Sequence, residues 1–157
     1  MGERARILIV DDDESIRKVL STILEEEGYA VDMAMNGKDA IKKSNERFYN
    51  LALIDIRLPD VEGIELLTRM KDTTPKMRKI MITGYPSLQN AVEALNKGAN
   101  AYIMKPLDMD KILKTIKEQL QKQREEKKYS QEKVADFIET CVKELEKEKI
   151  PPHKTTT

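Results

Sequence analysis

Five residues could carry chemistry in this sequence: Asp11, Asp12, Asp55, Thr83 and Lys105. Each ends or closely follows a short apolar run. "ILIV" leads into Asp11 and Asp12, "LALI" into Asp55, "KIMI" into Thr83, and "AYIM" into Lys105, which precedes Pro106. If these runs are strands of one parallel sheet, the five residues share its carboxyl edge, where open α/β sheets bind their ligands. Carboxylates gathered there repel, at a cost on the order of several kcal/mol per close pair in a partly buried site, unless a cation lies among them. Oxygen donors with no His or Cys beside them favour Mg2+ over zinc, and Mg2+ accepts phosphate oxygens readily. Phosphoryl chemistry follows, with Asp55 as a carboxylate nucleophile toward phosphorus. Mg2+ and Lys105 would balance charge on the phosphoryl oxygens, and Thr83 would donate a hydrogen bond to one of them.

The elements that must position these groups are legible from periodicity. Five apolar runs read as strands: 6–10, 30–34, 51–55, 79–83 and 101–104. Between them lie helical patterns. In "ESIRKVLSTILEEEG" the residues Ile16, Val19, Leu20, Ile23 and Leu24 recur at helical spacing, and Gly28 ends the run. Comparable helices fit 37–47, 63–71, 86–97 and 108 onward. Strict strand-helix alternation with short connections predicts an α/β fold, a doubly wound parallel sheet with helices on both faces, because parallel neighbours need crossovers. The nearly all-apolar first, third and fourth strands belong at its centre, and mixed "AVDMA" at an edge.

Composition bounds the rest. A chain of 157 residues with 39% apolar content supports one core and an appendage. Its 28 basic and 28 acidic side chains cancel, so no global field draws nucleic acid or an anionic membrane, and no local basic patch or recognition element is evident. No run is long enough to span a bilayer, and the start does not read as a signal peptide; a cytoplasmic location is expected. The single Cys141 excludes an intrachain disulfide and a cysteine metal cluster. After Leu120 the composition turns highly charged. The expected division is therefore a domain at 1–121 and a charged helical tail or linker at 122–157.

Together, "ILIVDDDES", "LALIDIRLPDVEGIELL" and "IMITGYPSLQNAVEALNKGANAYIMKP" resemble the receiver domain of two-component response regulators over residues 6 to 120. The resemblance implies a flavodoxin-like five-stranded sheet of order 2-1-3-4-5. It implies Asp55 as phosphoacceptor and Asp11 and Asp12 as Mg2+ ligands, with Asp55 and the backbone carbonyl of Arg57 completing the metal site. Thr83 matches the switch hydroxyl, Lys105 the phosphate-contacting lysine, and Tyr102 the aromatic that follows the Thr83 shift. Lys105-Pro106 matches a cis turn. Asp13 and Glu14 are left as favourable negative charges at the start of the first helix. Arg57 and Tyr85, both large, stand where the family flanks the attacking water, so self-dephosphorylation should be slow.

On this resemblance the chain is a regulatory module rather than a turnover enzyme, phosphorylated by a sensor histidine kinase or phosphotransfer protein. Its output surface, or a homodimer contact, should lie between the fourth helix and the fifth strand, in "GYPSLQNAVEALNKGANAY". A second dimer candidate is the tail. There Val134, Ile138, Cys141 and Leu145 recur at spacings of four, three and four, widened by Phe137 and Val142. In the tail, Pro151-Pro152 should end the helix, with "HKTTT" disordered and His153 solvated. A competing reading is a haloacid-dehalogenase-like Mg2+ phosphatase with Asp11 as nucleophile. It leaves Asp55 unexplained, and locating a trapped phosphoryl group on Asp55 or Asp11 separates the two.

Overall fold

The computed structural model describes residues 4–149. In chain order the elements are β1 (Arg6–Val10), α1 (Glu14–Glu26), β2 (Ala30–Ala34), α2 (Gly37–Glu46), β3 (Leu51–Asp55), α3 (Gly63–Arg69), β4 (Arg78–Thr83), α4 (Leu88–Asn96), β5 (Ala101–Met104) and α5 (Met109–Lys149). The strands form one parallel sheet in the order β2-β1-β3-β4-β5. β1 is followed by β2 on one side and β3 on the other, so strand order reverses between β1 and β3. Asp11 follows one of these strands and Asp55 ends the other.

Strand periodicity sorts the core into two layers. Leu8, Val10, Ala52, Ile54 and Met81 face one side and pack with Ala40 of α2, with Ile64, Leu66 and Leu67 of α3, and with Ala94 of α4. Ile7, Ile9, Leu51, Leu53, Ile80 and Ile82 face the other, with Leu20 and Leu24 of α1 and Ile112, Ile116 and Leu120 of α5. β3 is buried along its whole length because both layers cover it. Each fully buried Leu or Ile contributes about 1.5–3 kcal/mol, so the sheet holds the strand ends on a rigid frame.

Local chemistry sets the helix ends. Asp13 is the N-cap of α1, its carboxylate accepting the Ser15 and Ile16 N–H groups. This gives the third acid of the block a role of its own. At the other end the chain turns through Gly28, whose φ of 96° suits glycine, with the Tyr29 N–H returning to the Leu24 carbonyl. α4 starts at Leu88, two residues later than the expected 86, because the Ser87 hydroxyl accepts the Asn90 N–H and caps it. α3 ends at Arg69, two residues before the expected 71.

α5 carries the expected helical tail as one helix to Lys149. The highly charged stretch after Leu120 still places one side chain in the core, Gln123. That side chain is buried: Nε2 donates to the carbonyls of Asn50 (2.9 Å) and Lys76 (2.7 Å), and Oε1 accepts from Asn50 Nδ2 (3.2 Å). Hydrogen bonds substitute there for apolar contact, which is why an apolar pattern does not reveal it. One compact unit accordingly extends to Gln123, and a second begins at Arg124. The Pro151-Pro152 stop, the "HKTTT" end and His153 lie outside the described residues.

Candidate functional site

β1, β3, β4 and β5 deliver their end residues to one cleft of about 460 Å3, lined by Asp12, Asp55, Ile56, Arg57, Gly84, Tyr85 and Lys105. Asp11 sits beneath it, 3% exposed, with Oδ1 accepting the Asp13 N–H at 2.9 Å. Asp12 points to solvent. Asp55 is buried, its Oδ1 accepting the Arg57 N–H at 3.3 Å. Asp11, Asp12 and Asp55 each bring a carboxylate oxygen within 4.8 Å of the others.

A single ammonium serves the two buried acids. Lys105 Nζ lies 3.4 Å from Asp55 Oδ2 and 3.8 Å from Asp11 Oδ2. Its backbone is fixed because the Lys105 N–H donates to the Thr83 carbonyl at 2.7 Å, extending the β4–β5 ladder, and the Lys105-Pro106 bond is cis as the resemblance implied. One ammonium does not neutralise three carboxylates. Burial pushes the Asp11 carboxyl up to about 6; the Asp13 N–H and Lys105 oppose the rise, while Asp55 and Asp12 add to it. Such a set of oxygen donors, repelling and under-compensated, fits a hard divalent cation.

Thr83 is fully buried at the end of β4. Its Oγ1 accepts the Tyr85 N–H at 2.9 Å and makes no hydrogen bond to Asp55. Tyr102, paired in register with Met81, packs against the core layer that contains Met81, and its hydroxyl is buried with no hydrogen-bond partner. The Arg57 guanidinium lies 4.0 Å above the Tyr85 ring, so the two large side chains roof the cleft together.

Three supporting residues escaped the sequence reading. Arg17 Nη1 donates to the Asp11 carbonyl at 2.6 Å, anchoring the loop that carries both acids. Asp60 accepts the N–H groups of Gly37 and Lys38 at 2.8 and 2.9 Å, which holds its carboxyl below the usual range and ties the β3–α3 loop to the start of α2. Gly63 packs directly on the Asp55 backbone: a Cβ there would meet the Asp55 carbonyl oxygen at 2.3 Å and Ile56 Cα at 2.8 Å. Only Gly63 carried a signal, as a glycine opening a helical run behind "LPDVE".

The family model of the response regulator receiver domain matches residues 7–117. The chain belongs to the response-regulator receiver family. It is 43% identical over 119 residues to the transcriptional regulatory protein ZraR of Klebsiella oxytoca, covering 76% of this chain and 27% of that protein. Against the uncharacterized transcriptional regulatory protein YkoG of Bacillus subtilis it is 37% identical over 115 residues, covering 73% and 50%. This receiver thus spans about a quarter to a half of the length of those relatives. Among solved structures, the CheY-like receiver domain protein of Methanospirillum hungatei JF-1 is similar at 50% identity and a TM-score of 0.76, covering 79% of this chain and 99% of that one. The beryllofluoride-activated NtrC4 receiver domain dimer is similar at 40% identity and 0.71, covering 75% and 98%. The flavodoxin-like order and the C-terminal helix match expectation, and the receiver is a regulatory domain of phosphorylation-based two-component signalling. The phosphatase reading loses its support, because it explains neither Asp55 nor this match. Among the described residues no helix is long and apolar enough to cross a membrane.

Proposed function

We propose that this receiver is a phosphorylation switch in which Asp55 accepts a phosphoryl group from a sensor histidine kinase or phosphotransfer protein in the cytoplasm. The observation that carries this reading is Lys105 Nζ held between Asp55 and Asp11, beside an exposed third carboxylate. Asp11, Asp12, Asp55 and the Arg57 backbone carbonyl would hold Mg2+, whose chemistry is to draw charge from phosphoryl oxygens and orient them. Transfer breaks the bond between phosphorus and the donor histidine nitrogen and forms one to an Asp55 oxygen. Lys105 stays within reach to pair with the new oxygens, offsetting the charge that Asp55 gains.

The switch follows from Thr83. In the present arrangement its oxygen accepts the Tyr85 N–H, which leaves its proton free to be donated once an anion arrives at Asp55. A shift of Thr83 toward the phosphoryl group vacates space on β4, and the Tyr102 ring, with its unpartnered hydroxyl, is the neighbour free to follow. The affected surface carries Leu88, Val92, Leu95 and Met104, all exposed. Such an apolar face is the natural output or dimer contact. Beyond accepting and slowly hydrolysing its own phosphoryl group, the domain has no turnover in this reading. The test is partner binding or size-exclusion elution with and without acetyl phosphate and Mg2+. A response that persists unchanged in Asp55→Asn overturns the proposal.

A further inference from the structure

The second compact unit begins at Arg124, and its described part is helix alone. Helices in proteins draw most of their stability from packing an apolar face. Here that face is uncovered: Val134, Phe137, Ile138, Val142 and Leu145 are 46–69% exposed, on a stretch whose other side chains are mostly charged. Val134, Ile138, Cys141 and Leu145 occupy the d, a, d and a positions of successive heptads, with Phe137 at g and Val142 at e.

We propose that this seam pairs in parallel with the same seam of a second copy, forming a short two-stranded coiled coil. The face is complementary to itself. In parallel register every core layer meets its own kind, and a g residue lies beside the e residue five positions on in the other strand. Phe137 therefore meets Val142 of the second copy, and Ser130 meets Ala135, so no like charges are opposed in these layers. Glu132, Lys133, Asp136, Glu139, Lys143, Glu146 and Lys147 fall at b, c and f, outside the seam, where Glu139 and Lys143 pair at 3.4 Å. Seven basic and eight acidic residues between 124 and 149 nearly cancel, so two copies do not repel and a strongly charged partner is not favoured. The seam is shorter than the about three to four heptads of a self-sufficient coil, so the pairing is weak and concentration-dependent. It does not rest on the phosphoacceptor reading.

Cys141, the only cysteine, is a built-in reporter. The full chain is mildly oxidised at high concentration, with and without acetyl phosphate and Mg2+, and analysed by non-reducing electrophoresis and sedimentation. A Cys141-linked dimer is expected. Single-cysteine chains Cys141→Ser with Val134→Cys, or with Leu145→Cys, should also trap, whereas Cys141→Ser with Lys143→Cys should trap about tenfold less. Ile138→Asp, on an exposed helical face of the second unit, should lower the dimer about tenfold while leaving the receiver's thermal transition intact. A chain monomeric under both conditions overturns the proposal. So does trapping at Lys143→Cys equal to that at Cys141, a dimer indifferent to Ile138→Asp, or trapping only between mixed Val134→Cys and Leu145→Cys chains, which would mean antiparallel pairing.

Discussion

Replacing Asp11 by Asn should stabilise the protein in metal-free buffer near neutral and alkaline pH, although it removes a residue assigned to the site. The magnitude follows from the burial of Asp11 among other acids, which raises its carboxyl from 3.8 to about 6. A folded-state value above the unfolded one means that the native state holds the proton more tightly. The contribution of this group to stability is then full below about pH 4, falls as pH rises toward about 6, and is flat above. At about 1.36 kcal/mol per pKa unit, the charged carboxylate costs on the order of 3 kcal/mol above that window. Asn bears no charge, keeps an oxygen for the Asp13 N–H, and should escape that cost. Thermal melts in chelator should therefore show Asp11→Asn higher in Tm by on the order of 5–10 °C at about pH 8, with the gain vanishing near about pH 4. Saturating Mg2+ should reverse the order, because only the wild type retains the full donor set and gains ligand-linked stability. A variant no more stable than wild type in chelator at about pH 8, or one whose gain is the same at both pH values, would refute the electrostatic reasoning.

Gly63→Ala should destabilise the domain by about 3 kcal/mol or more, since the new methyl meets backbone atoms of the strand that carries Asp55; an unchanged melt contradicts that packing. Gln123→Ala should cost about 1–3 kcal/mol, measurable by urea denaturation, because the Lys76 carbonyl and Asn50 Nδ2 lose their partner while the Asn50 carbonyl keeps only the Arg78 N–H. Arg57→Ala combined with Tyr85→Ala removes the stacked roof over the cleft and should speed loss of the phosphoryl group by about tenfold or more. A wild type that decays as fast as the double variant denies the roof its shielding role.

Much of this architecture is written in local pattern. Each of the five strands begins and ends within a residue of its apolar run, because a strand covered on both faces must be apolar throughout, and Asp55 and Thr83 end such runs abruptly. The same abruptness exposed Asp11, Asp12 and Lys105 as a group. What pattern could not show was polar closure over distance. Gln123 reaches Asn50 across 73 positions of sequence, and Asp60 caps α2 from 23 positions beyond Gly37. Neither carries an apolar or spacing signal, since a buried amide and a solvated one read alike. The unbroken course of α5 was hidden for a related reason: its charged stretch from 124 to 133 makes no core, so periodicity stops while the backbone continues. The Thr83 hydroxyl could be named but not its partner, because a hydroxyl both accepts and donates, and only the fold places the Tyr85 N–H against its oxygen.

The phosphoacceptor assignment is the claim on which the switch depends, and intact mass tests it directly. The full chain and Asp55→Asn are incubated with acetyl phosphate and Mg2+, and each is weighed before and after. A gain of one phosphoryl group in the wild type, absent in Asp55→Asn and absent in chelator, is the predicted result. A gain that persists in Asp55→Asn would place the phosphoryl group elsewhere and contradict the assignment.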